Sequence, residues 1–346
     1  MTRIYLIRHA EAEGNLYRVA HGHYDSLITD RGYQQIKALE KRFADVQIDA
    51  VYSSDLFRTR TTAKAIYVPR GLPLHTDAGL REINMGIWED RPWQELTMES
   101  PDQMYYFNRR VDQWQIEGGE SVAQVLDRYL ASLRRISHEN DGKTVAVFSH
   151  GAAMRIVLGT LQGLPPEQIG NTPHGDNTAV SLLEAEGDVI RVIYRDDNQH
   201  LLDAGLSTLA KQRWWKDAKM LEKGIYYAPL TDDLRRELIE QGADVPAAGH
   251  LITVMYDRHA AGLVQLLPEK AQSAGWIGYY WLAPAYRGHH RGIAPLGQVV
   301  KFYRARGVDR LRMDCADEST RCFFEKFGFR PLTGSTLEKY IGYEEQ

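Results

Sequence analysis

Val145-Ala146-Val147-Phe148 is an apolar run with no polar residue alternating through it. A strand that reads this way is covered on both faces, as in parallel sheets flanked by helices. The surrounding sequence agrees. Arg3–Ile7 and Asp49–Tyr52 read as strands and Thr29–Phe43 as a helix. Another helix, Ala152–Leu161, directly follows the strand Thr144–Phe148. In Ser121–Ser137, Val122, Val125, Leu126, Tyr129 and Leu133 recur at helical spacing. Strands alternating with helices predict a mostly parallel α/β sheet with right-handed crossovers. Val180–Leu183 and Val189–Tyr194, joined at Gly187-Asp188, predict a closing pair of strands.

The chain has 346 residues, which at roughly 150 per domain suggests two domains. Beyond about His200 the pattern changes. Ser207–Lys223 is charged and carries Trp214-Trp215, a pair expected to pack between domains. Thr231–Gln241 reads as a helix capped at Thr231-Asp232-Asp233. Strand-like runs follow at Leu251–Tyr256, Gly262–Leu267 and Trp276–Leu282, with turn residues Asp257–Gly262 predicting an antiparallel first pair. A Gly-rich turn, a helix (Ala294–Arg306), a strand (Arg310–Cys315) and a short helix ending near Gly328 complete an α+β pattern. No Gly/Ser/Pro linker marks the boundary; we place it at about 205, giving domains 1–204 and 205–346.

Composition narrows the function classes. Lys plus Arg is 42 against 46 Asp plus Glu, a net charge of −4. That balance offers no basic field for nucleic acid. No apolar stretch approaches the ~20 residues of a membrane span. Cys315 and Cys322 are the only cysteines, so no disulfide scaffold is expected, and both read as core-facing thiols. A cytoplasmic protein with neither nucleic acid nor membrane as partner is expected.

Chemistry-bearing residues cluster at strand ends, where ligands bind in sheets of this kind. Arg8-His9 follows the first strand, and Ser149-His150-Gly151 follows the strand ending at Phe148. Ser53-Ser54-Asp55-Leu56-Phe57-Arg58-Thr59 follows a third strand, and Leu80-Arg81-Glu82-Ile83 adds a carboxyl group. Two His, two Arg and one Glu are the parts needed to move a phosphoryl group through a covalent histidine. Guanidinium groups disfavour a protonated imidazole and keep it nucleophilic. Arg8 and Arg58 suit bidentate contacts to phosphoryl oxygens, His150 can hydrogen-bond them, and Glu82 can trade protons with the leaving oxygen and water. His21-Gly22-His23 lacks a third ligand, so no metal is expected.

Arg8-His9-Ala10-Glu11-Ala12-Glu13-Gly14-Asn15 resembles the Arg-His-Gly signature of the histidine phosphatase (phosphoglycerate mutase-like) superfamily. Segments 53–59, Leu80-Arg81-Glu82-Ile83-Asn84-Met85-Gly86-Ile87-Trp88-Glu89 and Ser149-His150-Gly151 resemble its other motifs, in the family's order. The resemblance covers about 1–200 and implies a three-layer α/β/α fold. It implies that His9 is the phosphorylated nucleophile, that Arg8, Arg58, His150 and Asn15 contact phosphate, and that Glu82 is the proton donor. Tyr17, His21, His23, Tyr24, Met85 and Trp88 would shape the leaving-group pocket. Ala10 stands where the family usually has Gly, and Ala12 where many members have Thr. The segment between Glu82 and His150 is shorter than in cofactor-dependent mutases. A shorter lid leaves a phosphohistidine open to water, so hydrolysis of a small phosphate ester is expected, with mutase-type transfer as the alternative. No cofactor is implied for this domain.

In the second half, Ala283-Pro284-Ala285-Tyr286-Arg287-Gly288-His289-His290-Arg291-Gly292-Ile293-Ala294 opens a helix, a setting that suits pyrophosphate. With the preceding strands and Phe324-Glu325-Lys326-Phe327-Gly328-Phe329, it resembles a GNAT-type N-acetyltransferase over about 230–346. The resemblance implies acetyl-CoA as cofactor, held by Arg287, Gly288, His289, Arg291, Gly292, Ile293 and Ala294, with the strand at Tyr280–Leu282 splaying to bind the pantetheine. A small amine would be the acceptor. Phe324 stands where the family usually carries a proton-donating Tyr, Asp317 where it has Asn, and Pro295 lies just inside the helix. Tyr303, Tyr340, His289 and His290 are candidate substitutes for the missing hydroxyl. A non-catalytic, acyl-CoA-sensing second domain is the alternative, and the oligomeric state is left open.

Overall fold

A computed structural model describes residues 1–209, 224–268, 273–287, 291–315 and 317–343. The sequence expectations at Trp214-Trp215 and at Gly288, His289 and His290 lie outside the described residues. The chain forms two compact units. One comprises Met1–Asn15, Val19–Arg91 and Leu96–Leu221, the other Leu16–Arg18, Pro92–Glu95 and Glu222–Gln346.

The first unit is built on strands β1 (Thr2–Arg8), β2 (Ala50–Ser53), β3 (Leu74–Thr76), β4 (Thr144–Ser149), β5 (Val180–Glu186) and β6 (Val189–Asp197). They form a six-stranded sheet in the order β3-β2-β4-β1-β5-β6. β1, β2, β3 and β4 run parallel, and the hairpin β5–β6 closes the sheet antiparallel to β1. Val145, Ala146, Val147 and Phe148 are all 0% exposed, as expected of a central strand covered on both faces. Helix Asp30–Phe43 begins at Thr29, whose side chain accepts from the Gly32 amide. Helix Val122–Glu139 begins at Ser121, where Gln124 completes a reciprocal capping box. Both helices thus start at their own side-chain caps.

The second unit has strands β7 (Ile225–Pro229), β8 (His250–Tyr256), β9 (His259–Leu266), β10 (Gly275–Leu282), β11 (Arg310–Asp314), β12 (Arg330–Thr333) and β13 (Thr336–Tyr340). The seven-stranded sheet has the order β12-β13-β11-β10-β9-β8-β7. The turn between β8 and β9 is tighter than expected, confined to Asp257 and Arg258, both at positive φ. β10 and β11 are the parallel pair, matched at Gly275–Ile277 and Leu311–Met313. Beyond Ile277, β10 runs on to Leu282 with no further pairing to β11 among the described residues. Helices Ala294–Arg304 and Glu318–Lys326 contribute Leu296, Val299, Val300, Tyr303 and Phe324 to the core. Cys315 is buried as expected, but Cys322 is exposed. It lies on the solvent side of helix Glu318–Lys326, its thiol facing Glu318 one turn earlier.

Candidate active site

β1 and β4 run in register, and that places the two histidine motifs side by side. Arg8 pairs with Ser149, and the His9 amide donates to the Ser149 carbonyl at 2.9 Å. The His9 and His150 ring centroids are 5.4 Å apart, and His21 meets His9 edge-on at 5.7 Å. Nδ1 of His9 lies 2.7 Å from the Ala10 carbonyl. A carbonyl only accepts, so Nδ1 carries the proton and Nε2 keeps its lone pair. Burial first, then Arg58, Arg8 and His21, hold the His9 imidazole far below the usual histidine pKa. His150 and His21 are likewise held neutral by burial and by Arg58.

Arg58 is 0% exposed and extends from helix Phe57–Arg70. Its guanidinium donates to the carbonyls of His21 (3.1 Å), Gly22 (2.7 Å) and Tyr24 (3.0 Å). Arg8 donates to the Gly175 carbonyl at 2.5 Å. Nε of each arginine is buried without a partner, as is Nδ1 of His150. Ser54 Oγ accepts from the Leu56 amide and lies 2.9 Å from Nε2 of His150; we take the tautomer in which the hydroxyl donates to Nε2. Nδ1–H of His150 is then the third orphan donor. Buried donors left unpaired are costly unless an anion or water meets them.

Glu82 stands at the start of helix Gly151–Leu161. Its carboxylate accepts from the amides of Ile83 (2.9 Å), Ala152 (3.0 Å) and Ala153 (2.7 Å). Gly151 leaves room for Arg8 here: a Cβ would stand 3.0 Å from Arg8 Nε, so the guanidinium would have to shift by a few tenths of an ångström. The Ala10 substitution leaves the site clear, because Ala10 is buried in the apolar cluster with Ile7, Ala12 and Phe148. Asn15 donates to Nε2 of His21 at 3.3 Å.

His23 donates to the Glu82 carbonyl (2.9 Å), so His21 and His23 serve different partners. Among the described residues, no group of three His, Cys, Asp or Glu side chains is arranged to hold a metal. Met85 is buried, and Trp88 packs against Phe107 and Trp114 at 6.2 and 5.8 Å. Tyr17 groups with the second unit.

Three residues not singled out in the sequence complete the site. Glu89 accepts from the amides of Gly22 (3.1 Å), His23 (2.7 Å), Tyr24 (2.8 Å) and Met85 (2.9 Å). Arg58 holds the carbonyls of the 21–24 loop and Glu89 its amides. Asn177 donates to the His9 carbonyl at 3.1 Å, and Asp176 adjoins it. Only Glu89 had a sequence signal, as a carboxylate inside the Glu82 motif.

In the second unit, the stretch of β10 that leaves β11 precedes the turn into helix Ala294–Arg304. Leu282 is buried and its carbonyl accepts from Arg287 Nε at 2.8 Å. Arg291 stacks on Tyr256 at 4.2 Å and donates to its hydroxyl. Tyr280 donates to the Gly292 carbonyl at 2.5 Å. Pro295 falls in the first turn, where its missing N–H is tolerated. Phe324 is 0% exposed, its ring against Tyr280, Phe323 and Phe329. Asp317 caps helix Glu318–Lys326 by accepting from the Thr320 amide at 2.8 Å. Tyr303 is used inside the core, donating to the Trp276 carbonyl.

Comparison with known proteins follows the division of the chain. A probable phosphoglycerate mutase, GpmB, of Yersinia enterocolitica is 36% identical over 166 residues, spanning 48% of this chain and 77% of that protein. The solved structure of YhfR from Bacillus stearothermophilus is 28% identical with a TM-score of 0.56, over 58% of this chain and 100% of that one. The α-ribazole phosphatase of Shigella flexneri is 26% identical with a TM-score of 0.50, over 56% and 96%. Residues 215–329 match the acetyltransferase (GNAT) family. With residues 4–198 matching the histidine phosphatase superfamily (branch 1), the chain belongs to that superfamily and carries a GNAT-family domain behind it.

Proposed function

We propose that the first unit hydrolyses small phosphate monoesters through a phosphohistidine at His9, with no metal required. One observation carries this reading: a neutral imidazole with a free Nε2 lies beside orphaned buried donors on Arg8, Arg58 and His150. In the first step Glu82 enters as the carboxylic acid: Nε2 attacks phosphorus, the ester P–O bond breaks, and the leaving oxygen takes the Glu82 proton, leaving the carboxylate. In the second, water attacks phosphorus, Glu82 takes its proton, and the N–P bond breaks to release phosphate. Arg8 and Arg58 supply positive charge to the phosphoryl oxygens as it passes. Asn15, His21, Tyr24, Met85 and Trp88 would line the ester's side of the site.

The test is a rapid acid-free quench with labelled ester. Label is expected on a histidine, lost with His9→Ala, and turnover is expected to survive a chelator. Turnover with no labelled histidine at any quench time would overturn the reading. Mutase-type transfer is the second reading, favoured by the 36% identity to a probable phosphoglycerate mutase. A requirement for a bisphosphorylated cofactor would select it.

For the second unit we infer binding of acetyl-CoA, supported by the freed length of β10 and by the adjoining helix N-terminus. Leu282, Arg287, Gly292, Ile293 and Ala294, with Gly288 and His289, would hold it; when bound, it supplies an activated acyl thioester for a small amine. Phe324 has no proton to give and is committed to the core, which favours an acyl-CoA-sensing role as the alternative. Acetylation of an amine panel separates the two.

A further inference from the structure

The segment that ends the described part of the first unit is tied to the loop that holds the nucleophile. Asp176 is 1% exposed. Its Oδ2 accepts from Ser207 Oγ at 2.5 Å and Asn198 Nδ2 at 3.2 Å. Its Oδ1 accepts from Thr208 Oγ1 at 2.5 Å and from the Thr208 and Leu209 amides at 3.2 and 3.4 Å. Thr208 Oγ1 also lies 2.9 Å from Oδ1 of Asn177, so one hydroxyl proton is shared between two acceptors.

Asn177 is 2% exposed, and the partners of its amide fix which way round it lies. Nδ2 donates to the His9 carbonyl at 3.1 Å and to Asn15 Oδ1 at 3.4 Å. Asn15 Oδ1 also accepts from the Ala12 amide, which leaves Asn15 Nδ2 to donate to Nε2 of His21. His21 Nδ1–H then donates to Ser26 Oγ at 3.3 Å. Every bond runs in the same donor-to-acceptor direction, from Thr208 to the ring packed against His9. Hydrogen bonds aligned head to tail reinforce one another in a low-dielectric interior.

We propose that Thr208 is a positioning residue for the nucleophile, acting through Asn177 on the His9 backbone and through Asn15 on the His21 ring. Thr208 touches neither His9 nor the arginines in this chain of bonds, so its loss is expected in turnover rather than in phosphate affinity. The proposal rests on the phosphohistidine reading for its kinetic arm alone.

The test uses the full chain, labelled with 15N-histidine, as wild type, Thr208→Val and Thr208→Ser. Thr208→Val is expected to lower kcat between about tenfold and a hundredfold, the loss typical of a slightly misplaced reacting group. The Kd for inorganic phosphate stays within about twofold. It is also expected to shift the His21 ring nitrogen signals, while Thr208→Ser restores both. Unchanged His21 signals in a folded Thr208→Val would overturn the proposal, as would a kcat within twofold of wild type. Should Thr208→Val not fold, Thr208→Ala carries the same readouts. If wild type hydrolyses no ester, the catalytic reading fails, yet the nitrogen spectra still decide whether the relay exists.

Discussion

Lowering the pH should unfold the first unit because four of its buried or half-buried imidazoles are held neutral. His9, His21, His150 and His174 all lie far below the usual 6.5, chiefly through burial and secondarily through neighbouring arginines, with His9 adding to the latter at His150. Unfolding returns each to its ordinary value. Below pH 6.5 the unfolded chain therefore binds protons that the folded chain refuses, and stability falls as pH falls. The contribution is absent above pH 6.5 and grows until the folded groups titrate. At about pH 5.5, one unit below the unfolded value, each group costs ~1.4 kcal/mol, and four together about 5–6 kcal/mol. That is comparable to the whole stability of many domains.

Glu11 and Asp25, whose carboxyls are pushed up by burial, act with the opposite sign at lower pH. A difference experiment removes them. Urea unfolding of wild type and His150→Gln at about pH 8 and pH 5.5, in buffers free of phosphate, isolates one imidazole. The variant is expected to lose ~1.4 kcal/mol less across that interval. An equal pH dependence in both proteins would refute the claim that His150 is held neutral.

Two further outcomes follow from the clamp and the helix start. Glu89→Gln replaces four acceptor contacts by an oxygen that keeps two and an amide that opposes two N–H groups; with each buried unpaired donor costing about 1–3 kcal/mol, urea unfolding should show a loss of ~2–6 kcal/mol. Gly151→Ala puts a methyl 3.0 Å from Arg8 Nε, so the Kd for inorganic phosphate should weaken by about tenfold with little change in melting temperature.

The parts of the site that sit at strand ends were legible, because buried strands announce themselves and ligands gather where they stop. Arg8, His9, His150 and Arg58 all follow such runs. Asp176 and Asn177 were not legible, and Glu89 only as a carboxylate inside the Glu82 motif, because each serves backbone groups whose positions only the folded chain defines. Helix Phe57–Arg70 escaped notice because Thr59, Thr61, Thr62 and the internal Pro69 are poor helix formers, overridden by packing. The edge strand β12 carries no pattern at all: Arg330, Pro331, Leu332 and Thr333 are exposed throughout. In the second unit the Phe324 departure was readable as a missing hydroxyl. That the ring is enclosed among Tyr280, Phe323 and Phe329 was not.

The double grip on residues 21–24 has a consequence for selectivity. With Arg58 holding the carbonyls of His21, Gly22 and Tyr24 and Glu89 the amides of Gly22, His23 and Tyr24, the backbone of this wall is tied from both sides. On the phosphatase reading, this backbone would need little reorganisation to meet an ester. On that reading, discrimination among alcohols would fall to side chains such as Tyr24 and Met85 rather than to the clamped backbone, and those can change without disturbing the phosphorus chemistry.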